Sequence, residues 1–247
     1  PVSKGGRLQL RVMTYNVHSC VGMDRRCSPA RIARLIGKFA PDVVALQELD
    51  NGKSRSGYVH QAREIAEILN MHFIFSPVIS NDQDEYGDAL LSRWPLKLVS
   101  SESLPGYQDR EQRGFLWAEM KVGALQVQFV NTHLGLSAAE RKLQIEALMS
   151  DTCIATAELR GPTILLGDFN ATGRGYAWKR VVRQLGDVQQ LVPSWRPRNT
   201  WFSTHPSLRL DHIFVSSGIL VDVVHRPTGT DFQMASDHLP LVADLLL

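Results

Sequence analysis

No stretch of this chain is long and apolar enough to read as a membrane-spanning helix. Such a helix takes roughly 18 or more consecutive apolar residues, whereas runs such as Asp42 to Leu46 or Thr163 to Leu166 have only strand length. Cysteine is scarce. Cys20, Cys27 and Cys153 are an odd set with no metal-ligand spacing, which argues against a thiolate zinc centre and for free thiols in a reducing compartment. A strong charge of one sign is missing too: the net charge of +2 is too mild to demand a polyanionic partner, although it is compatible with one. The phosphate loop Gly-x-x-x-x-Gly-Lys, the dinucleotide signature Gly-x-Gly-x-x-Gly and the Gly-x-Ser-x-Gly elbow are all absent. NTP motors, dinucleotide enzymes and serine hydrolases are therefore disfavoured.

No internal repeat or low-complexity tract is visible, and Pro105-Gly106 and the Pro193 to Pro197 segment are too short for an interdomain linker. With 247 residues, 44% hydrophobic and 21% charged, one domain over residues 1–247 with a sizeable core is the expectation. The chain opens on Pro1 rather than Met, which leaves a removed targeting segment open. A cytoplasmic monomer is expected.

What the chain does have is many short strands and a few amphipathic helices. Leu8 to Tyr15 alternates as a strand, and Asp42 to Gln47 reads as a buried one. Between them Ser28-Pro29 opens a helix, with Ser as N-cap and Pro at the first position. A second helix is expected over Val59 to Asn70. Strands follow at Ala89 to Ser92, Leu96 to Ser101, Phe115 to Val122 and Leu125 to Thr132, with a tight hairpin at Val122-Gly123-Ala124. Ser137 and Glu140 read as a capping box for a long helix to about Ala157. A strand at Pro162 to Leu166, a helix at Tyr176 to Leu185 and strands at Leu210 to Val215, Leu220 to His225 and Leu241 to Leu246 complete the pattern. Strands outnumber helices and many are joined by short turns, so mixed or antiparallel sheets flanked by helices are expected.

Polar residues recur where these strands begin or end: Asn16, Gln47-Glu48, Asn131 and His133, Asp168 and Asn170, Asp211, and Asp237-His238. One such residue is ordinarily a cap or a turn former. Six recurrences along one chain point instead to side chains gathered at one edge of the sheets. Glu48, Asp168 and Asp237, with the amide oxygens of Asn16 or Asn170, are hard oxygen donors that suit Mg²⁺ or Mn²⁺. In Asp168-Phe169-Asn170 an extended backbone puts the carboxylate and the amide on one face and turns Phe169 inward. Such a set can polarise a phosphoryl oxygen and orient water for in-line attack.

In order along the chain, Thr14-Tyr15-Asn16, Leu46-Gln47-Glu48, Asn131-Thr132-His133-Leu134, Gly167-Asp168-Phe169-Asn170, Leu210-Asp211-His212-Ile213 and Ser236-Asp237-His238-Leu239-Pro240 resemble the motifs of the endonuclease/exonuclease/phosphatase superfamily. The resemblance covers Arg11 to Leu246. It implies an α/β fold, a DNase I-like four-layer α/β/β/α sandwich of two mixed sheets, and a phosphoric ester hydrolase that uses Mg²⁺ or Mn²⁺. It also implies roles. Glu48 would be the main metal ligand, assisted by Asn16 and Asp237. Asp168 would orient or deprotonate the attacking water, Asn170 would bind the scissile phosphate, and His238, held by Asp211, would contact the phosphate or the water. His133 would sit on another phosphate oxygen or help protonate the leaving group. Either Asp168 or His238 would be the base. Repair nucleases of the superfamily commonly carry an acid where this chain has His18, which puts a second metal position in doubt and leaves His18 as a simple polar loop residue, a phosphate contact or a substituted ligand.

Arg113, in Gln112-Arg113-Gly114, is expected to clamp a substrate phosphate with its planar fork. Arg25, Arg26, Arg174, Lys179, Arg180, Arg183, Arg196, Arg198 and Arg209 are scattered cations, about half of them expected to be solvated. Of Trp178, Trp195 and Trp201, at least two are expected in the core. The weak net charge, together with a likeness of Gln112-Arg113-Gly114, His133-Leu134-Gly135-Leu136 and Thr200-Trp201-Phe202 to the short bacterial branch, favours a lipid headgroup or other small phosphodiester as substrate. A DNA endonuclease or exonuclease is the alternative. A catalytically silent binding module is a third reading, and the presence of the whole residue set speaks against it.

Overall fold

The computed structural model describes Ser3, Lys4 and residues 6–81 and 83–247. The chain begins with β1 (Ser3–Lys4), β2 (Arg7–Asn16), helix α1 (Pro29–Gly37), β3 (Val43–Asn51), α2 (Gln61–Leu69), β4 (His72–Ser80) and β5 (Glu85–Ser92). Next come β6 (Lys97–Ser103), β7 (Gly114–Val122), β8 (Leu125–His133), α3 (Ala138–Leu148), α4 (Ile154–Arg160) and β9 (Thr163–Asp168). It ends with α5 (Tyr176–Val181), β10 (Gly186–Asp187), α6 (Val188–Leu191), β11 (Asp211–Val215), β12 (Leu220–His225), α7 (Thr230–Ala235) and β13 (Leu241–Leu246).

Two mixed sheets result. One runs β12-β13-β2-β3-β5-β4, with β1 paired to β2, and the other runs β10-β11-β9-β8-β7-β6. In each, a single parallel pair, β2 with β3 and β8 with β9, sits among antiparallel neighbours. Three apolar layers hold four structural layers together. Leu10, Val12, Ala45, Phe129, Ile164 and Ile213 fill the space between the sheets. Met13, Tyr15, Val44, Ile32, Ile65 and Phe232 pack α1, α2 and α7 on the first sheet. Val130, Leu165, Phe214, Ile145 and Val181 pack α3 and α5 on the second. Among these, each fully buried Val, Leu, Ile, Phe or Met side chain contributes roughly 1.5–3 kcal/mol of transfer free energy. This is the α/β/β/α sandwich the sequence implies.

The helix starts follow from local chemistry. Ser28 caps α1 by accepting the N–H of Arg31 at 3.2 Å, with Pro29 at the first position. The expected capping box does not form: Ser137 makes no side-chain cap bond, and Glu140 lies so close against Gly135 that its carboxylate leaves no room there for a Cβ. Nor does one helix run to Ala157. It breaks between α3 and α4, where the Ser150 side chain bonds back to the carbonyl of Ala147 and also accepts the Thr152 N–H. Such local bonds compete with the helical ladder. The helix at Tyr176 is shorter than expected, ending at Val181.

Alternation in the strands places the polar residues. On β2, Leu10 and Val12 face the other sheet, and the same face continues as Thr14 and Asn16. Val43 and Ala45 lead to Gln47, Val127 and Phe129 to Asn131 and His133, and Ile164 and Leu166 to Asp168. From the antiparallel strands, Leu90 leads back to Asp88 and Ile213 to Asp211. At one end of the sandwich, the inner faces of both sheets therefore change from apolar to polar together.

Candidate active site

Glu48 does not follow this parity. Regular alternation would turn it towards the helices with Val44 and Leu46. Instead the pairing of β3 with β5 slips between Leu46 and Leu49, and Glu48 takes a left-handed φ of 61°. A bulge of this kind re-aims a side chain, and here it swings the Glu48 carboxylate into the space between the sheet ends. The Glu48 N–H is taken by Asp88 Oδ1 of β5 at 3.3 Å.

Asp168, 1% exposed, stands at the centre. Its Oδ2 accepts Asn16 Nδ2 at 3.0 Å, and its Oδ1 accepts the Asn170 N–H at 2.8 Å. Asn16 Nδ2 also reaches Glu48 Oε1 at 2.8 Å, while its Oδ1 accepts the His18 N–H. One amide thus ties two carboxylates together. The imidazoles of His133 and His238 flank Asp168, each with Nε2 at 3.6 Å from its Oδ2. Burial pushes the Asp168 carboxyl up to about 6, with Asp211 adding to the rise and His238 working against it.

The two histidines are in opposite states. Burial, reinforced by Arg113 and His238, holds His133 well below the usual imidazole range, so it is neutral. Arg113 Nη1, which can only donate, lies 2.8 Å from His133 Nδ1, so the ring proton is on Nε2. That N–H and Asn170 Nδ2 are two donors side by side, 3.2 Å apart, and the amide spends one of its hydrogens on the Leu134 carbonyl at 2.9 Å. Burial would lower His238 as well, but the carboxylates of Asp211 and then Asp168 overcome it and push the ring up to about 10. His238 is therefore an imidazolium, with Nδ1 donating to Asp211 Oδ2 at 2.8 Å.

Glu48, Arg113, His133, Asp168, Asn170 and His238 line a cleft of about 560 Å³ that also takes in Tyr86, Glu111, Leu136, Arg141, Trp201, Leu208, Leu210 and Asp237. Asp237 receives Trp201 Nε1 at 3.4 Å. Arg113, 7% exposed, is bridged to Glu111 at 2.7 Å. Asn16 is fully buried at the floor. His18 is half-exposed, 3.9 Å from Asp237, and faces an adjoining cavity that shares Glu48 and Tyr86. Seven of the ten residues expected from the sequence thus line one cleft, Asn16 and Asp211 hold lining residues by hydrogen bonds, and His18 stands beside it. Trp178 and Trp195 are packed into the cores, as expected of at least two of the three tryptophans. Among the scattered cations, Arg209 is buried against Asp187 at 2.9 Å.

Asp88 and Arg141 were not anticipated. Asp88 immediately precedes an apolar run, the same signal that marked Asp237 and His238. Arg141 lies on a helix and carried no signal. Could the cleft hold a hard cation? Asp211 Oδ1 is buried with no partner, and Asp168 and Asp88 are buried carboxylates that both titrate abnormally high. A divalent ion suits that uncompensated oxygen set. Asp168, Asp211 and His238 bring ligand atoms within 4.8 Å of one another, but a protonated His238 is no ligand.

The fold and site together are those of a phosphoester hydrolase class. The chain belongs to the endonuclease/exonuclease/phosphatase family, whose model matches residues 13–238. Among solved structures, it resembles an endonuclease/exonuclease/phosphatase from Beutenbergia cavernae DSM 12333, with 26% identity and a TM-score of 0.75 over 98% of this chain and 72% of that one. A mannosyl-6-phosphatase from Bacteroides thetaiotaomicron VPI-5482 superposes at a TM-score of 0.75 with 19% identity over 96% and 100% of the two chains. The human Nocturnin catalytic domain with bound sulfate gives 0.73 and 22% over 97% and 94%. No curated protein matches the chain. Among the described residues no helix is long and apolar enough to cross a membrane.

Proposed function

We propose that this protein is a divalent-metal-dependent phosphodiesterase that hydrolyses a lipid headgroup ester or another small phosphodiester by in-line attack of water. The observation that carries the reading is the convergence on Asp168 of Asn16, Asn170, His133 and His238, with Glu48 beside it, in one cleft. Glu48, with Asp237 and the Asn16 side, would hold Mg²⁺ or Mn²⁺, which when bound supplies Lewis-acid polarisation of the phosphoryl group.

The chain's own groups take complementary parts. Asp168, ionised above about pH 6, accepts the proton of the attacking water. His238 already carries its proton, so it serves as a donor to a phosphoryl oxygen, and Asp211 holds its ring in place. The neutral His133 Nε2–H and Asn170 Nδ2 form a second donor pair for the phosphate. Arg113 fixes the tautomer of His133 from behind.

A small substrate is favoured over DNA by the make-up of the cleft wall. Leu136 is 72% exposed and Leu208 38%, and with Trp201 they give the cleft an apolar side that a polyanionic duplex would not use. Hydrolysis of bis-p-nitrophenyl phosphate with Mg²⁺, with Mn²⁺ and with EDTA tests the reaction class. Absence of metal-dependent turnover between about pH 6 and 9 would point to the silent binding module. Plasmid nicking, abasic-site cleavage and phospholipid hydrolysis, run side by side on wild type and Asp168→Ala, test the substrate. Nicking that disappears in the variant would establish a nuclease instead.

A further inference from the structure

The cleft presents two guanidinium groups in different circumstances. Arg113 is buried and neutralised by Glu111. Arg141, in the first turns of α3, is half-buried and donates Nη1 to the carbonyls of Gly135 at 3.1 Å and Leu136 at 2.5 Å. Among the described residues it has no carboxylate partner, and its other nitrogens make no bond to protein. It lines the cleft with His133, Asp168 and Asn170. Burial disfavours its charge, and the dominant opposing influence comes across the cleft from Asp168. An arginine whose head is fixed by two carbonyls, and whose remaining donors are unspent, is built to meet a planar or tetrahedral oxyanion.

On the reading that this cleft hydrolyses phosphoesters, we infer that Arg141 binds a second anionic group of the substrate, a phosphate or carboxylate beyond the scissile phosphate. It is a specificity residue that acts on binding and leaves bond breaking to the groups around Asp168. The exposed position of Leu136, whose carbonyl holds Arg141, places the apolar and anionic contacts of the substrate next to each other.

The test compares three p-nitrophenyl phosphodiesters, whose second ester group is propyl, 2-carboxyethyl or 2-phosphonoethyl, in wild type, Arg141→Gln and Arg141→Lys. Wild type is expected to show a KM about tenfold lower for a charged ester than for the propyl ester, as one partly exposed charge-assisted contact would give. Arg141→Gln should erase that ratio and Arg141→Lys should restore part of it, with kcat ratios little moved. Whether the carboxylate or the phosphonate gains more identifies the source of the charge. A variant that weakens all three esters equally, or a charge preference that survives in Arg141→Gln, overturns the assignment. Calorimetry with propylphosphonate and propane-1,3-bisphosphonate separates the two readings. Tighter bisphosphonate binding that depends on Arg141, with no turnover of any ester, sinks the hydrolase reading and keeps Arg141. Turnover with no Arg141-dependent preference in either experiment does the reverse.

Discussion

His238 Nδ1 lies 2.8 Å from Asp211 Oδ2, and this bond aims the other ring nitrogen at Asp168. Asp211 is itself held by the Thr200 hydroxyl, which accepts its N–H at 3.2 Å. The imidazole is thus fixed between two acids, and its proton has a thermodynamic consequence. Its folded pKa of about 10 lies above the unfolded value near 6.5, so the native state keeps a proton that the unfolded chain gives up.

The stability contributed by that proton is fully present below about pH 6.5 and is lost as the pH rises through about 10. The metal-free protein is therefore expected to melt at progressively lower temperature over this window. Asp211→Asn removes the larger of the two supporting charges, so its melting temperature should fall less steeply across the same range. Parallel curves for the two proteins would show that Asp211 does not set the proton affinity of His238.

Metal dependence should separate Glu48 from His238. Glu48→Gln removes a carboxylate while keeping size and the amide contact to Asn16. It is expected to raise the half-saturating Mg²⁺ concentration by about tenfold or more, the scale on which a ligand or its close support acts. His238→Ala should instead lower kcat by a factor on the order of 10²–10⁴, typical for a proton donor, with a metal titration close to wild type. Coincident titration curves for the two variants would refute the division of roles.

Asp88 should matter through the backbone of Glu48. Its Oδ1 accepts the N–H of a residue held at a left-handed φ of 61°. Asp88→Ala leaves that donor without its partner, at a cost of about 1–3 kcal/mol, and lets the Glu48 carboxylate drift. Urea unfolding should register the loss, and the Mg²⁺ requirement should rise. Asp88→Asn, whose amide oxygen can accept the same bond, should recover most of both. If Asn fails where size and acceptor are preserved, the charge of Asp88 and not its hydrogen bond is what counts.

Much of the molecule was legible because alternation is written in residue types. The run from Leu10 through Asn16 gives both a strand and the face on which its polar end lies, and Leu220 to His225 was bounded to the residue. The strand β4 escaped notice for a physical reason. It is the edge strand of its sheet and carries Pro77 at a slip in pairing, so its burial follows no clean period. The helix break at Ser150 was hidden because Ile145, Leu148, Met149 and Cys153 keep a helical spacing across it on the same core. Within the site, residue identities were readable, but the bulge at Glu48 was not. Its left-handed turn is imposed by what surrounds it, and a glutamate offers no local sign of it.

That bulge depends on a residue of the opposite sheet. Asn131, fully buried on β8, donates Nδ2 to the carbonyls of Leu46 and Ala89, both at 2.9 Å, and accepts Gln47 Nε2 at 2.8 Å. Leu46 and Ala89 are the last paired residues before the β3–β5 register slips, so the ladder cannot bond their carbonyls in the usual way. Asn131 supplies the missing donors from across the core and so joins the two sheets directly beneath Glu48. Asn131→Ala strands two carbonyls in a dry interior and leaves Gln47 Nε2 with Thr14 as its remaining partner; at about 1–3 kcal/mol per stranded group before relaxation, a net loss of roughly 2–4 kcal/mol is expected in urea unfolding. Asn131→Asp should be no better, because a carboxylate accepts where both carbonyls need a donor. Each variant should also raise the Mg²⁺ requirement as Glu48 loses its support. A loss under about 1 kcal/mol with an unchanged metal titration would mean that water replaces the amide, and that the bulge stands without the bridge.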